Sequence, residues 1–279
     1  MGLAGSLSRV TSQALAESSW REAISAAAPA GLKTYLQFPE TTPVGPTIIL
    51  VHGSLDRAAS FGRTLHRLED RAVVTYDRRG YQGSRDLGPA ASIEQHVQDL
   101  AALVQGSDLG QGVVAVGHSF GGVIVQAAAL VAPAMFAAIG AYEPPMSYLL
   151  GGPRYEHKDI VDPGAEVERF FTQMMGRAAW ERLSDGLKQD RRADGPGLVS
   201  DLSIIRSVEF DPTALAVPVV YGCGGDRSAE RHRLLVAWLA THVAGAEQIT
   251  ITDAGHGAHL SHPDAFADLV LQTATRGAK

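Results

Sequence analysis

A single cysteine, Cys223, is all the thiol chemistry this chain holds. One thiol cannot close an intrachain disulfide, and it excludes a CxxC or Cys-rich zinc site. Nothing places a base beside Cys223 in sequence, so it is expected to be a buried, inert thiol. Long apolar runs are missing too. Nowhere do about 18 apolar residues follow one another, which removes a membrane-spanning helix. The stretch from Met1 to Trp20 lacks a charged start followed by a continuous apolar run, so no secretory signal is read there and a cytoplasmic protein is expected. There is no Lys/Arg-rich run, and the net charge is −6. Nucleic acid is therefore not an expected partner.

What is present suits a folded enzyme. Of 279 residues, 45% are hydrophobic and 19% charged. A chain of this size buries roughly three quarters of its unfolded surface. Short apolar runs at Leu32–Phe38, Thr47–Val51, Ala72–Tyr76, Gly112–Val116, Phe136–Tyr142, Val217–Tyr221 and Gln248–Thr252 read as strands, the first at an edge. Helical stretches lie between them at Ala58–Leu68, Ile93–Val104, Gly121–Val131, Ala229–His242 and Pro263–Ala274. Strands alternating with helices predict an α/β fold, a doubly wound and mostly parallel sheet. Ser147 to Asp211 breaks the alternation. There Val167, Phe170, Phe171, Met174, Met175 and Ala178 recur at helical spacing, which predicts an inserted helical cap. The expected division is an extension over 1–31, a core over 32–146 and 212–279, and a cap over 147–211.

Reactive groups of such sheets gather at the carboxyl ends of strands. Gly117-His118-Ser119-Phe120-Gly121-Gly122 follows one strand and opens a helix. G-x-S-x-G alone is weak: with 30 glycines in 279 residues, chance supplies roughly 0.2 matches. Its position between strand and helix is the stronger signal, because a turn that exposes a serine needs glycine on both sides. His52-Gly53-Ser54 ends an earlier strand and offers a second backbone donor for an oxyanion, with His52 itself read as structural. Gly255-His256-Gly257 follows the last strand, and a glycine-flanked histidine can serve as the base a serine hydroxyl needs. His256, His259 and His262 form an H-x-x-H-x-x-H run, but no carboxylate or thiolate set completes a metal shell, so no metal is expected. Two acids end strands: Asp226, favoured as partner of the histidine, and Glu143, the alternative. Either has a structural role open to it, Asp226 as a helix cap and Glu143 as a loop anchor. Asp77-Arg78-Arg79-Gly80 reads as architecture, with Asp77 tying its loop to an arginine.

Taken together, His52-Gly53-Ser54, Asp77-Arg78-Arg79-Gly80, Gly117–Gly122, Asp226 and Gly255-His256 resemble the marks of the α/β-hydrolase superfamily, in its usual order, over roughly Leu32 to Ala274. The resemblance implies a nucleophile at Ser119, a base at His256, an acid at Asp226, and oxyanion donors from Ser54 and Phe120. The stretch Gly222 to Asp226 is one residue longer than the family's commonest spacing, and some branches take the acid from the preceding strand, where Glu143 sits. Serine at the elbow, where dehalogenases and epoxide hydrolases of the family carry aspartate, implies acyl chemistry.

The expected activity is hydrolysis of a small-molecule carboxylic ester, lactone or thioester through an acyl-enzyme, without metal or organic cofactor. A carbon–carbon bond hydrolase, a perhydrolase-like enzyme and a ligand-binding receptor with a slow or idle triad stand as alternatives. Phe170, Phe171, Met174, Met175 and Trp180 suggest an apolar substrate pocket, although packing within the cap accounts for them equally well. The expected partner is a small-molecule substrate, and a homodimer stays open.

Overall fold

The computed structural model describes residues 22–23, 31–40, 42–106, 112–151, 160–225 and 227–278. Its eight described strands form one sheet: β1 (Glu22–Ala23), β2 (Thr34–Gln37), β3 (Ile48–Val51), β4 (Val73–Tyr76), β5 (Val113–His118), β6 (Phe136–Tyr142), β7 (Val219–Gly224) and β8 (Glu247–Ile251). Their order is β1-β2-β4-β3-β5-β6-β7-β8. β2 runs antiparallel to both β1 and β4, and every pair from β4 through β8 is parallel. β2 was expected at an edge and instead has β1 outside it. Apart from Glu22–Ala23 and Gly31, the expected extension lies outside the described residues.

Successive side chains of a strand point to opposite faces, and both faces here are covered. Ile49, Val51, Ala115, Ile139, Val219 and Tyr221 enter one core with helices α1 (Ile93–Gly106), α2 (Phe120–Val131) and α7 (Glu230–His242). Ile48, Leu50, Val114, Val116, Ala138 and Val220 enter the other, against α8 (Pro263–Gly277). Each such fully buried side chain contributes about 1.5–3 kcal/mol, which is why these runs read as continuous apolarity. The helix expected over Ala58–Leu68 is three short turns, Ala58–Phe61, Gly62–Leu65 and His66–Leu68. Gly62 at the first junction is a poor helix residue.

Between β6 and β7 the chain builds the helical cap: α3 (Pro163–Met175), α4 (Arg177–Glu181), α5 (Asp185–Ala193) and α6 (Gly195–Ser207). Pro163 starts α3, and the Asp162 carboxylate accepts from the Gly164 and Ala165 amides at 2.9 and 3.0 Å. Gly176, at φ +85°, ends it, so Ala178 of the expected stripe falls on α4. Val167, Trp180, Leu198 and Leu202 form a core of the cap's own, joined by Leu55 from below. Buried charge ties cap to sheet. Arg78 donates to both oxygens of Asp201 on α6 at 3.1 and 2.6 Å, and Arg85 donates to Asp190 on α5 and to Asp194 between α5 and α6 at 2.8 and 2.6 Å. Asp77, expected to hold an arginine, instead accepts from the Ala58 and Gly83 amides and the Tyr35 hydroxyl. Arg78 points to the cap, so the loop is tied by amides. Among the described residues no helix is long and apolar enough to cross a membrane.

Candidate functional site

Ser119 sits where β5 becomes α2, at φ 53° and ψ −122°, a backbone conformation that costs about 1–3 kcal/mol outside glycine. The flanking glycines make this turn fit. A Cβ on Gly117 would lie 2.2 Å from the Gly121 carbonyl carbon, and one on Gly121 would lie 2.1 Å from the Val51 carbonyl oxygen. The Ser119 amide donates to the Tyr142 carbonyl at 2.8 Å, and its own carbonyl accepts from Gly122 at 2.8 Å. These bonds fix the turn between β6 and the first turn of α2. Phe120 opens that helix, so its amide belongs to the group of first-turn donors that lack an intrahelical acceptor.

The end of β3 approaches the same turn. His52 is fully buried. Its Nδ1–H donates to the Gly53 carbonyl at 2.8 Å and its Nε2 accepts from the Arg78 amide at 2.9 Å. Burial, aided by the Arg78 charge, lowers its pKa to about 3. His52 is therefore a neutral strut that shapes the loop carrying Ser54. The Ser54 hydroxyl is buried without a hydrogen-bond partner among the described residues.

His256 lies on the loop after β8, which is anchored from two directions. The Tyr142 hydroxyl donates to the Gly255 carbonyl at 2.8 Å, and His118 Nε2–H donates to the His256 carbonyl at 2.7 Å. The His256 ring is held separately: its Nδ1–H donates to Glu143 Oε2 at 2.8 Å. Glu143 is fully buried at the carboxyl end of β6, at φ 46°. Its Oε2 also accepts from His232 Nδ1 at 2.7 Å, and its Oε1 accepts from the Gly224 amide at 2.8 Å and from the Ser228 hydroxyl. Burial alone would raise the Glu143 carboxyl, but the His232 and His256 imidazoles more than offset this and hold it well below the usual carboxylate range. For His256, burial pushes the pKa below the ordinary histidine value. The bond to Glu143 works against that shift and the neighbouring His232 works with it.

Ser119 and His256 line one cavity of about 510 Å³, together with Ser54 and the cap residues Phe170, Phe171, Met174 and Met175. Trp180 stands apart from the described lining. It is buried in the cap core with its ring 5.3 Å from that of Phe171, so it backs the wall without forming it. Phe120 is fully buried under the turn. Asp226 lies outside the described residues, and the carboxylate that meets His256 is Glu143. His256, His259 and His262 do not converge. His259 is buried and its Nε2–H donates to Asp56 at 3.0 Å, while the His262 ring nitrogen meets the adjacent Ser261 hydroxyl. Two groups have one donor atom per residue within 4.8 Å of one another, Asp56/His118/His259 and Glu143/His232/His256. In the second, both imidazoles donate to Glu143; in the first, His259 donates to Asp56, while His118 Nδ1 lies 3.9 Å from Asp56 and has no hydrogen-bond partner among the described residues. Cys223 is buried, and burial raises its thiol pKa.

Sequence reading passed over His232, although a signal existed. On α7, His232, Leu235, Val236 and Leu239 are the buried positions, so this histidine lies on the stripe that faces the sheet. Asp56 carried no such signal, since its role depends on a contact with His259, 203 residues away.

A mostly parallel sheet with an antiparallel start, a cap after β6 and functional groups at successive strand ends define an α/β-hydrolase fold. The chain belongs to the alpha/beta hydrolase family, whose sequence pattern matches residues 48–269. A hydrolase from Pseudomonas aeruginosa superposes with a TM-score of 0.69 at 18% identity, over 87% of this chain and 93% of the other. The enol-lactonase of Burkholderia xenovorans gives 0.68 at 19% identity, over 89% and 99%. In sequence, 121 residues are 32% identical to the lipase LipV of Mycobacterium tuberculosis, covering 43% of this chain and 44% of that protein. The match thus spans less than half the length of that curated relative.

Proposed function

We propose that this protein is a serine hydrolase that cleaves small-molecule carboxylic esters, lactones or thioesters through an acyl-enzyme on Ser119. The observation that carries the reading is the bond from His256 Nδ1–H to the buried Glu143 at 2.8 Å, on a loop whose imidazole shares one cavity with Ser119. A proton on Nδ1 leaves the Nε2 lone pair to accept the serine proton. Ser119 Oγ attacks the carbonyl carbon as His256 Nε2 takes its proton. The Phe120 and Ser54 amides receive the oxyanion, an arrangement in which each donor is worth about 10²–10³ in rate. His256 returns the proton to the departing alcohol or thiol, and the acyl group stays on Ser119. Water then attacks, His256 again takes and returns a proton, and the acid leaves. The steps balance with substrate and water alone. Glu143, kept ionised by its imidazole neighbours, stabilises the imidazolium at each transfer.

The lactonase and lipase named among the similar proteins act, by those names, on substrates of this class. Labelling with a fluorophosphonate tests the reading directly. The wild-type protein is expected to label and to turn over p-nitrophenyl acetate, and Ser119→Ala to do neither. Equal labelling of the two would remove Ser119 as nucleophile. A stoichiometric burst without turnover would make the site a receptor rather than an enzyme.

A further inference from the structure

The cavity beneath the cap carries a charge opposite to that of the whole chain. The chain has a net charge of −6, yet among the described residues Arg57, Arg63 and Arg191 line the cavity against the single carboxylate of Asp56. Asp56 is already engaged, accepting from the Ser60 hydroxyl and from His259 Nε2–H at 3.0 Å. The two carboxylates nearest on the cap, Asp190 and Asp194, are engaged as well, each holding Arg85 and the Gln82 amide group. Arg63 leans outward and donates to the Leu260 carbonyl at 3.0 Å.

That leaves Arg57 and Arg191, both half-buried on the wall. Arg57 reaches the Gln82 side-chain oxygen at 3.5 Å, and Arg191 donates one bond to the Leu55 carbonyl at 3.3 Å. Among the described residues neither lies within 4.0 Å of a carboxylate oxygen. A guanidinium has five N–H donors in a fork that matches a carboxylate or a phosphate. Here two such forks share one cavity with most of those donors unused. Burial and the repulsion of Arg57 lower the Arg191 pKa below its ordinary value. The carboxylates of Asp56, Asp194 and Asp190 act against that shift without overcoming it, so an anion brought to the two guanidinium groups is favoured. The lining supplied by α3, Phe170, Phe171, Met174 and Met175, is apolar.

We propose that Arg57 and Arg191 form an anion subsite, so that the substrate cleaved at Ser119 is an amphiphilic ester with an apolar body and a carboxylate or phosphate remote from its scissile carbonyl. The proposal rests on the serine-hydrolase reading for its chemistry, whereas the subsite itself stands on the arginines. Charge-assisted hydrogen bonds to a partly desolvated anion are worth about tenfold or more in affinity.

The test uses p-nitrophenyl esters of four to ten carbons ending in methyl, carboxylate or phosphate. At one chain length or a few, kcat/KM for an anionic ester is expected to exceed that of its methyl counterpart by about tenfold or more. The carboxylate and phosphate arms show which anion the forks fit. In the double variant Arg57→Gln, Arg191→Gln that ratio falls to about one, in Arg57→Lys an anion preference survives in weakened form, and in Arg177→Gln, outside the cavity, the ratio is kept. Preference for the methyl esters at every length, or a ratio unmoved in the double variant, overturns the proposal. Calorimetric titration of Ser119→Ala with adipate and with inorganic phosphate reads the subsite without catalysis. Binding there that is lost on adding the two arginine substitutions supports the subsite even if the chain hydrolyses nothing. Absence of binding by both anions, with esterase activity intact, removes the subsite and leaves the hydrolase standing.

Discussion

Replacing Glu143 by Gln should cost this protein nearly all of its activity, and the hydrogen bonds around the carboxylate explain why. Glu143 accepts four bonds: from the Gly224 amide and Ser228 hydroxyl at Oε1, and from His232 and His256 at Oε2. An amide offers one oxygen and one NH₂ group. The oxygen satisfies the Gly224 and Ser228 side, so the NH₂ group must face the two imidazoles. Facing a donor, His256 Nδ1 has to become an acceptor, and its proton moves to Nε2. The ring then presents a proton to Ser119 where a lone pair is required. Enforcing the wrong tautomer in a serine triad lowers kcat by about 10⁴, on the order of 5 kcal/mol of transition-state stabilisation.

The assay is kcat/KM with p-nitrophenyl acetate beside the rate of fluorophosphonate labelling, with circular dichroism to show that Glu143→Gln is folded. Retention of more than about a tenth of wild-type activity would refute the reasoning. Asp226→Asn is the paired experiment. If it, rather than Glu143→Gln, abolishes activity, the acid comes from the loop after β7, and Glu143 is a structural anchor for His232 and His256.

Two further predictions follow from the same contacts. His256 must be neutral to act as base, and its lowered pKa puts the acid limb of kcat/KM below the ordinary histidine value, with activity lost as the pH falls through that limb. His232→Gln keeps a donor to Glu143 but removes the imidazole that pushes the His256 pKa down, so the limb should move to higher pH; a limb that stays put or moves down contradicts this. Breaking the fully buried Arg78–Asp201 pair by Asp201→Ala should destabilise the fold by about 3–5 kcal/mol in urea denaturation, because it leaves a buried guanidinium uncompensated. Replacing both partners by Met and Leu should recover most of that loss; failure to recover it would mean the pair has a role beyond mutual neutralisation.

The sheet was legible because burial on both faces leaves its mark in four or five adjacent apolar residues, and β3 is fully buried at all four of its positions. The strand-end positions of Ser119 and His256 were legible because each stands among glycines, a local requirement that local sequence records. The choice of acid was less legible: Asp226, favoured from sequence, lies outside the described residues, and Glu143, the alternative, is bonded to His256. β6 and β7 are neighbours in the sheet, paired from Ile139 and Val219 onward, and each ends beside an acidic residue. Which carboxylate turns toward the loop of His256 depends on the conformation of the strand end, and Glu143 takes a positive φ that no residue type advertises. Cap side chains divided in the same way. Helical spacing placed Phe170, Phe171, Met174 and Met175 on one face, but Trp180 follows the break at Gly176 and packs inward. Arg57 and Arg191 escaped notice because isolated arginines in a loop and on a charged helix look solvated until the fold sets them on one wall.

Helix α5 joins the two halves of the site's electrostatics. Its Asp190, and Asp194 just past its end, hold Arg85 of the core, and Arg191, the first of the three residues between them, lines the cavity. Adjacent residues on a helix do not face each other, so Asp190 holds Arg85 of the core while Arg191 beside it lines the cavity. The grip also accounts for the lack of an ion pair at Arg191 among the described residues: Arg85 occupies the carboxylates of Asp190 and Asp194. Substituting Arg85 would therefore do more than loosen the cap. It would free Asp190 and Asp194 to engage Arg191, and the kcat/KM ratio of anionic to methyl ester expected for the proposed subsite should fall toward one even with both of its arginines in place.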